Sequence, residues 1–224
     1  MDLSVDLIGE VAGVFAGKSV ARWAGKPPSA IAKTAQSGPC RITARGLEGD
    51  EHADQKAHGG PDQALHFYPA DHLPFWRGEL PERRDAFRPG GFGENVSLLG
   101  LTEETLCVGD VLGLGTARLQ ISQGRVPCWK LNAHTGSPKM AARFLATGKT
   151  GWYCRVLAPG IVTSDSYCNL LERPAPDWPL SRVIGARFAV SPPAETIAAL
   201  AALPTLSSAW RSYFQRMRAD GSVA

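Results

Sequence analysis

The chain has 224 residues, 44% of them hydrophobic and 20% charged, with a formal net charge of +3. That is enough for one sizeable domain with an appendage, or two small domains, with a core that needs neither disulfides nor metals to hold it. The slight, dispersed positive balance argues against a surface for a nucleic-acid polymer, and no apolar run approaches the roughly 18 residues of a membrane span.

The first ten residues carry Asp2, Asp6 and Glu10 through their apolar run without a basic start, so they do not read as a signal peptide. Short strands, punctuated by Gly and Pro, are expected at 5–15, 39–47, 64–68, 95–99, 111–114, 117–122, 152–157 and 166–172. They suggest a closed or nearly closed β structure rather than a parallel βαβ sheet. Two helices interrupt them: 69–79, with Leu73 and Trp76 on one face, and 137–147, with Pro138 in a favoured first-turn position and Gly148 just beyond the end. The segment Arg173-Pro174-Ala175-Pro176-Asp177-Trp178-Pro179 is a stiff connector that no ladder would accommodate. Beyond it, helices are expected at 181–189, 191–203 and 207–218. In the last, Trp210, Tyr213, Phe214 and Met217 recur at helical spacing and read as a core stripe rather than a cofactor box. Three such helices make too small a core to stand alone, so they should dock on the β part or on a second subunit.

The five cysteines, Cys40, Cys107, Cys128, Cys154 and Cys168, include no Cys-x-x-Cys pair. This argues against a zinc knuckle, an iron–sulfur cluster or a disulfide framework and leads us to expect a reducing, cytoplasmic setting. Cys128 stands out. In Arg125-Val126-Pro127-Cys128-Trp129-Lys130-Leu131 it follows an alternating strand that Gly124 and Pro127 terminate, which places it on a loop at a strand end. A thiol between two cations has its thiolate, the nucleophilic and metal-binding form, favoured by charge. The competing reading is a small core hydrophobe.

The stretch 46–62 concentrates Asp50, His52, Asp54, His58 and Asp62 among glycines. It can be read as a zinc or iron site on Asp50, His52, Asp54 and His58. It can also be read as a close backbone approach at Gly59-Gly60 with His58 and Asp62 aimed at one ligand, or as carboxylates capping turns. Pro89-Gly90-Gly91-Phe92-Gly93-Glu94-Asn95-Val96 lacks the Lys-Ser/Thr of a phosphate loop and has no helix behind it, so it is neither a Walker nor a Rossmann loop; Glu94 and Asn95 can line a polar pocket. In Trp152-Tyr153-Cys154-Arg155-Val156, alternation puts Tyr153 and Arg155 on the face opposite the core, where Arg155 is either solvated or anion-binding. No Gly-x-Ser-x-Gly elbow appears, while a nucleophile pair of Cys128 with His58 or His134 stays open.

Taken in order, Gly46-Leu47-Glu48-Gly49-Asp50, His58-Gly59-Gly60-Pro61-Asp62, Gly91-Phe92-Gly93-Glu94-Asn95, Cys107-Val108-Gly109-Asp110, Ser122-Gln123-Gly124-Arg125-Val126-Pro127-Cys128-Trp129-Lys130-Leu131 and Gly148-Lys149-Thr150-Gly151-Trp152-Tyr153-Cys154-Arg155 resemble the MOSC domain family. The likeness is to its bacterial branch linked to resistance against 6-N-hydroxylaminopurine. It implies a mainly β fold with helices: a MOSC-type β-barrel over 1–178 followed by a small three-helix domain over 179–224. It further implies the molybdenum cofactor (molybdopterin), with Cys128 as the protein ligand to molybdenum and Arg125, Lys130, Asn95, Arg155 and His58 as candidates to grip the pterin. His58 and Asp62 would shuttle protons beside Cys128. The implied reaction is reduction of N-hydroxylated bases and related compounds to amines, with electrons from a separate reductase. The alternative is a carrier that holds sulfur or the cofactor on Cys128. The resemblance also admits pyridoxal phosphate as a bound ligand and is compatible with a homodimer. Two positions depart from the family pattern: Trp129, where Tyr or Phe is more usual, and Ser164-Asp165-Ser166, where a glycine-bearing turn is expected.

Overall fold

The computed structural model describes residues 7–54 and 59–221. In chain order it contains β1 (Ile8–Ala16), β2 (Thr34–Ala35), β3 (Cys40–Thr43), β4 (Gly46–Leu47), β5 (Leu65–Pro69), α1 (Leu73–Glu79), β6 (Val96–Leu99), β7 (Val111–Leu114), β8 (Ala117–Gly124), α2 (Trp129–Thr135) and α3 (Met140–Thr147). There follow β9 (Trp152–Ala158), β10 (Gly160–Val162), β11 (Tyr167–Glu172), α4 (Leu180–Phe188), α5 (Ala194–Ala202) and α6 (Ser208–Gly221).

Seven strands close on themselves in the order β1-β6-β5-β9-β8-β7-β11, with β11 returning to β1 through Ile8 opposite Asn169 and Gly9 opposite Cys168. Every pairing in the barrel is antiparallel except β5 with β6. Closure removes the open edges that a twisted sheet would otherwise expose. Alternation along the strands sends Val11, Leu98, Leu112, Leu119 and Ile121 into the interior, where Phe67 and Trp152 stack with centroids 5.9 Å apart. Outside the barrel, β3, β4 and β10 form a separate small sheet. A second core lies between α1, α2, α3 and the loop before β6; there Tyr68, Trp76, Phe92 and Phe144 pack ring on ring.

The three C-terminal helices share the barrel's own core. Val183 and Ile184 of α4 and Phe214 and Trp210 of α6 are buried in the same cluster as Leu119 and Ile121. Contact at the rim of β8 is close enough to dictate a residue type: a Cβ at Gly124 would stand 2.4 Å from Ile184 Cγ1, so only glycine lets α4 sit there. The proline connector is fastened by Arg173, whose guanidinium donates twice to Asp110, a wholly buried carboxylate that also accepts from the Cys107 amide.

The strands expected at 64–68, 95–99, 111–114, 117–122, 152–157 and 166–172 and the helix expected at 181–189 occur within two residues of their expected bounds; the helix expected at 137–147 starts only at Met140, leaving Pro138 before it, and that expected at 191–203 starts at Ala194. The expected strand 39–47 is instead a tight hairpin, β3 and β4, turning over residues 44 and 45. Pro69 ends a strand rather than opening a helix, and α1 starts at Leu73 after a 3₁₀ turn. The start of the first expected strand, residues 5 and 6, lies outside the described residues. Among the described residues no helix is long and apolar enough to cross a membrane.

Candidate functional site

The site is built where β8 leaves the barrel. Between β8 and β9 the register slips by one residue: Ile121 faces Cys154, and Gln123 faces Tyr153. Ser122 is the extra residue of this bulge, held by its hydroxyl within reach of the Asp62 and Tyr153 carbonyls. Had the pleat run on without a bulge, Gln123 would point inward like Ile121. With it, Gln123 and Tyr153 project together into a cavity outside the barrel.

Past Gly124 the chain runs through Arg125, Val126 and Pro127, and then Cys128, in extended conformation, caps the start of α2. The sequence places Cys128 just beyond a strand, as found; it gives no sign of the seven-residue helix behind it. Pro127 and the β-region φ of Cys128 accommodate that abrupt entry. Cys128 is half-buried, at the junction of two cavities. The smaller, about 80 Å³, is lined by Lys33, His52, Gly93 and Arg125. The wider, about 510 Å³, opens between the barrel rim and the C-terminal helices, with Gln123, Trp129, Arg187, Trp210 and Tyr213 on its walls. Val126, Lys130 and Tyr153 border both, as Cys128 does.

The surroundings are electropositive. Arg125 is 6% exposed, donates to the Phe92 carbonyl at 2.6 Å and lies 5.9 Å from the Phe144 ring centroid. Among the described residues neither Arg125 nor Lys130 forms an ion pair. Lys33 does, with Asp50; burial nevertheless holds its pKa below the usual lysine value. The same cations bear on nearby titrating groups. Burial, and then Arg125, push His66 well below an ordinary imidazole. Burial, and then Arg22 and Arg125, lower His134, while burial and Lys33 lower His52 against the opposing pull of Asp50. Tyr153 is shifted the other way, its phenol raised by burial and by Cys128 beside it, with Arg125 opposing.

The structure thus brings Cys128, Arg125 and Lys130 together, and it adds Lys33, His52, Gln123 and Tyr153, which sequence reasoning did not assign to the thiol. Lys33 reaches it from far along the chain and carries no local signal; His52 stood out in the sequence, but as a candidate metal ligand and not beside the thiol; Tyr153 was legible as facing away from the core. The other candidates are engaged in the scaffold. Asn95 accepts from the His66 amide and donates to Phe15 O and Asp50, beneath the site rather than in it. Arg155 donates to Asp62 through Nε and Nη2, at 2.9 and 2.8 Å, and to Gln120 through Nη1. Asp62 in turn accepts from the Ser208 amide and hydroxyl at the head of α6. Burial works to raise the Asp62 pKa, but these donors outweigh it and hold it below the carboxylate norm. Glu94 is wholly buried and turns back on the amides of Gly90 and Phe92. His58 lies outside the described residues. Among those described, no three His, Cys, Asp or Glu side chains are grouped to hold a metal. Of the alternative set Asp50, His52, Asp54 and His58, Asp50 is committed to Lys33, Asn95 and the Gly17 amide.

A closed seven-stranded barrel with a thiol at its rim and a helical cap defines a recognisable class: the chain belongs to the MOSC domain family, which it matches over residues 54–166. Residues 178–221 match the family described as YiiM-like, 3-alpha helix domain. The chain is 39% identical over 210 residues to Protein YiiM of Escherichia coli (strain K12), spanning 94% of this chain and 93% of that one. It is 41% identical over 167 residues to a protein named "Reductase" from Gibberella moniliformis, covering 73% of this chain but only 30% of the fungal protein. The crystal structures of YiiM from Escherichia coli and from Geobacillus stearothermophilus superpose with TM-scores of 0.79 and 0.80, at 31% and 30% identity, over 96% and 94% of this chain and 93% and 99% of theirs.

MOSC domains are associated with the molybdenum cofactor, and the residues present suit such a group. Cys128, at the junction of the two cavities, offers one soft ligand, and the other metal donors would come from the bound group itself. Arg125 and Lys130 are buried and form no ion pair among the described residues, although Arg125 feels the Glu94 carboxylate at longer range, and they suit an anion.

Proposed function

We propose that this protein is a molybdenum-cofactor-dependent oxidoreductase that reduces N-hydroxylated compounds to amines, drawing electrons from a separate reductase. The observation that carries the reading is the position of Cys128, at the meeting point of a small cation-lined cavity and a wide aromatic-walled one. In this reading the barrel, residues 1–178, holds the cofactor, and the helices of 179–224 complete the substrate side.

Cys128 would hold the metal, while Arg125 and Lys130 would neutralise the cofactor's anionic end, Lys33 being already paired with Asp50. When bound, the cofactor supplies the two electrons that cleave the N–O bond. The protein supplies position and protons: R–NHOH takes up two electrons and two protons and leaves as R–NH2 and water. Tyr153 is the proton source in this reading because its phenol O–H stands in the wall shared by both cavities; burial weakens its acidity, so position rather than pKa recommends it. His52, held neutral, can relay a proton through its imidazole. The wide cleft favours turnover of a small ring over a carrier role, which needs a thiol but no substrate chamber.

The test is Cys128→Ala in protein from a cofactor-competent host. Bound molybdenum and hydroxylamine reduction should both disappear while the circular dichroism spectrum and unfolding midpoint stay at wild-type values. Retained reduction would refute the reading. A persulfide on Cys128 that transfers to an acceptor, without turnover, would establish the carrier role instead.

A further inference from the structure

We propose that the cleft between the barrel rim and the C-terminal helices is a substrate subsite in which Gln123, Arg187 and Arg216 select a planar heteroaromatic ring bearing an N–H edge and an anionic substituent. This deepens the reductive reading and rests on it for the identity of the reacting group.

Gln123 is 3% exposed and borders the cleft, its Nε2 donating to the Gly124 carbonyl at 3.3 Å and its Oε1 buried with no partner among the described residues. Buried acceptors are normally satisfied, so this oxygen is a vacancy for a ligand N–H. The Ser122 bulge aims it there. Opposite, the Arg187 guanidinium lies 3.7 Å from the Tyr213 ring centroid and 5.8 Å from that of Trp210. Its Nε is buried without a hydrogen-bond partner among the described residues. The guanidinium also shares a side-chain hydrogen bond with Tyr213, and its remaining donors suit a planar, bidentate acceptor such as carboxylate or phosphate.

Arg216 borders the same cleft, and among the described residues neither arginine forms an ion pair. Among the described residues the charged lining is Lys130, Arg187 and Arg216 together with Asp54. Trp129, Tyr153, Trp210 and Tyr213 supply flat walls, and a cavity of about 510 Å³ is of the size that takes a small-molecule ligand. A neutral ring would satisfy Gln123 and the walls but leave both arginines unused. Both arginines come from the C-terminal helices, so those helices, not the barrel, set this preference.

The experiment is isothermal titration calorimetry on the full-length, cofactor-loaded protein with two unreactive probes, adenine and adenosine 5′-monophosphate. The monophosphate should bind about tenfold or more tighter than the base, the ordinary effect of a charge-assisted pair. Arg216→Ala and Arg187→Met should each bring the monophosphate down to the affinity of adenine, and Gln123→Leu should weaken both probes. Molybdenum content should stay at the wild-type level in all three. Arg216 is exposed, so its variant keeps the test sound even if Arg187→Met fails to fold. Equal affinity for the two probes, no binding of either, or an undiminished preference in Arg216→Ala would overturn the proposal. Because neither probe carries an N–O bond, a preference erased by these variants in a protein that reduces no hydroxylamine would uphold the subsite and sink the reductive reading.

Discussion

Tyr153 shows how one side chain can serve two compartments. It faces Gln123 across the β8–β9 pair, lies 5.0 Å from the His66 ring and borders both cavities at Cys128. Removing only its hydroxyl keeps the wall and deletes the proton. Tyr153→Phe should therefore lower kcat about a hundredfold, the lower end of a general acid's contribution, with KM and molybdenum content unchanged; steady-state kinetics and metal analysis decide it. The neighbouring histidines give a second prediction. His66, His52 and His134 all have folded-state pKa values below that of a free imidazole, so the unfolded chain binds more protons as pH falls past about 6.5. Stability is then full above that pH and is lost as acid is added, by up to about 1.4 kcal/mol per pH unit for each histidine still held neutral. Urea unfolding at pH 7, 6 and 5 measures the slope, and replacing His66, the most deeply buried, should flatten it. Asp62 does not shape this window, because its lowered pKa withdraws stability only under more acidic conditions.

At the scale of elements, Asp62 joins three parts of the chain: the turn before β5, β9 through Arg155, and α6 through Ser208. Asp62→Ala leaves Arg155 without its carboxylate and the head of α6 without an acceptor, and should cost about 1–3 kcal/mol, read as a lowered unfolding midpoint. This role was not legible in the sequence, where Asp62 reads as one acid in a polar, glycine-rich loop. Periodicity did reveal most of the strands, the helical tail and the position of the thiol just beyond a strand, because alternation and Gly/Pro punctuation are local properties. The fate of Asn95, Arg155 and Glu94 is set by partners dozens of residues away, such as Phe15 for Asn95 and Asp62 for Arg155, and no local pattern encodes those. The Ser122 bulge was equally hidden: Ala117 to Ser122 alternates without a fault, and the slip shows only against β9. The stripe on α6 was half read. Trp210 and Phe214 are core, as expected, but Trp210 and Tyr213 also wall the cleft.

For the whole molecule, the C-terminal helices are a structural part of the barrel rather than an appendage. Leu180, Val183, Ile184 and Phe214 are each at most 1% exposed, in one cluster with the strands. A chain ending at residue 178 would bare the outer surface of β8 and the Gly124 rim, and should aggregate or melt well below the full protein; light scattering and calorimetry distinguish these outcomes from an intact barrel. The pairing of β1 with β11 has a consequence for how the molecule is made. Ile8 leaves the ribosome some 160 residues before Asn169, its partner across the seam, so the first strand must wait, one edge unmet, through most of synthesis. The barrel can shut only when its last stave emerges, and α4 follows within ten residues to cover the fresh joint.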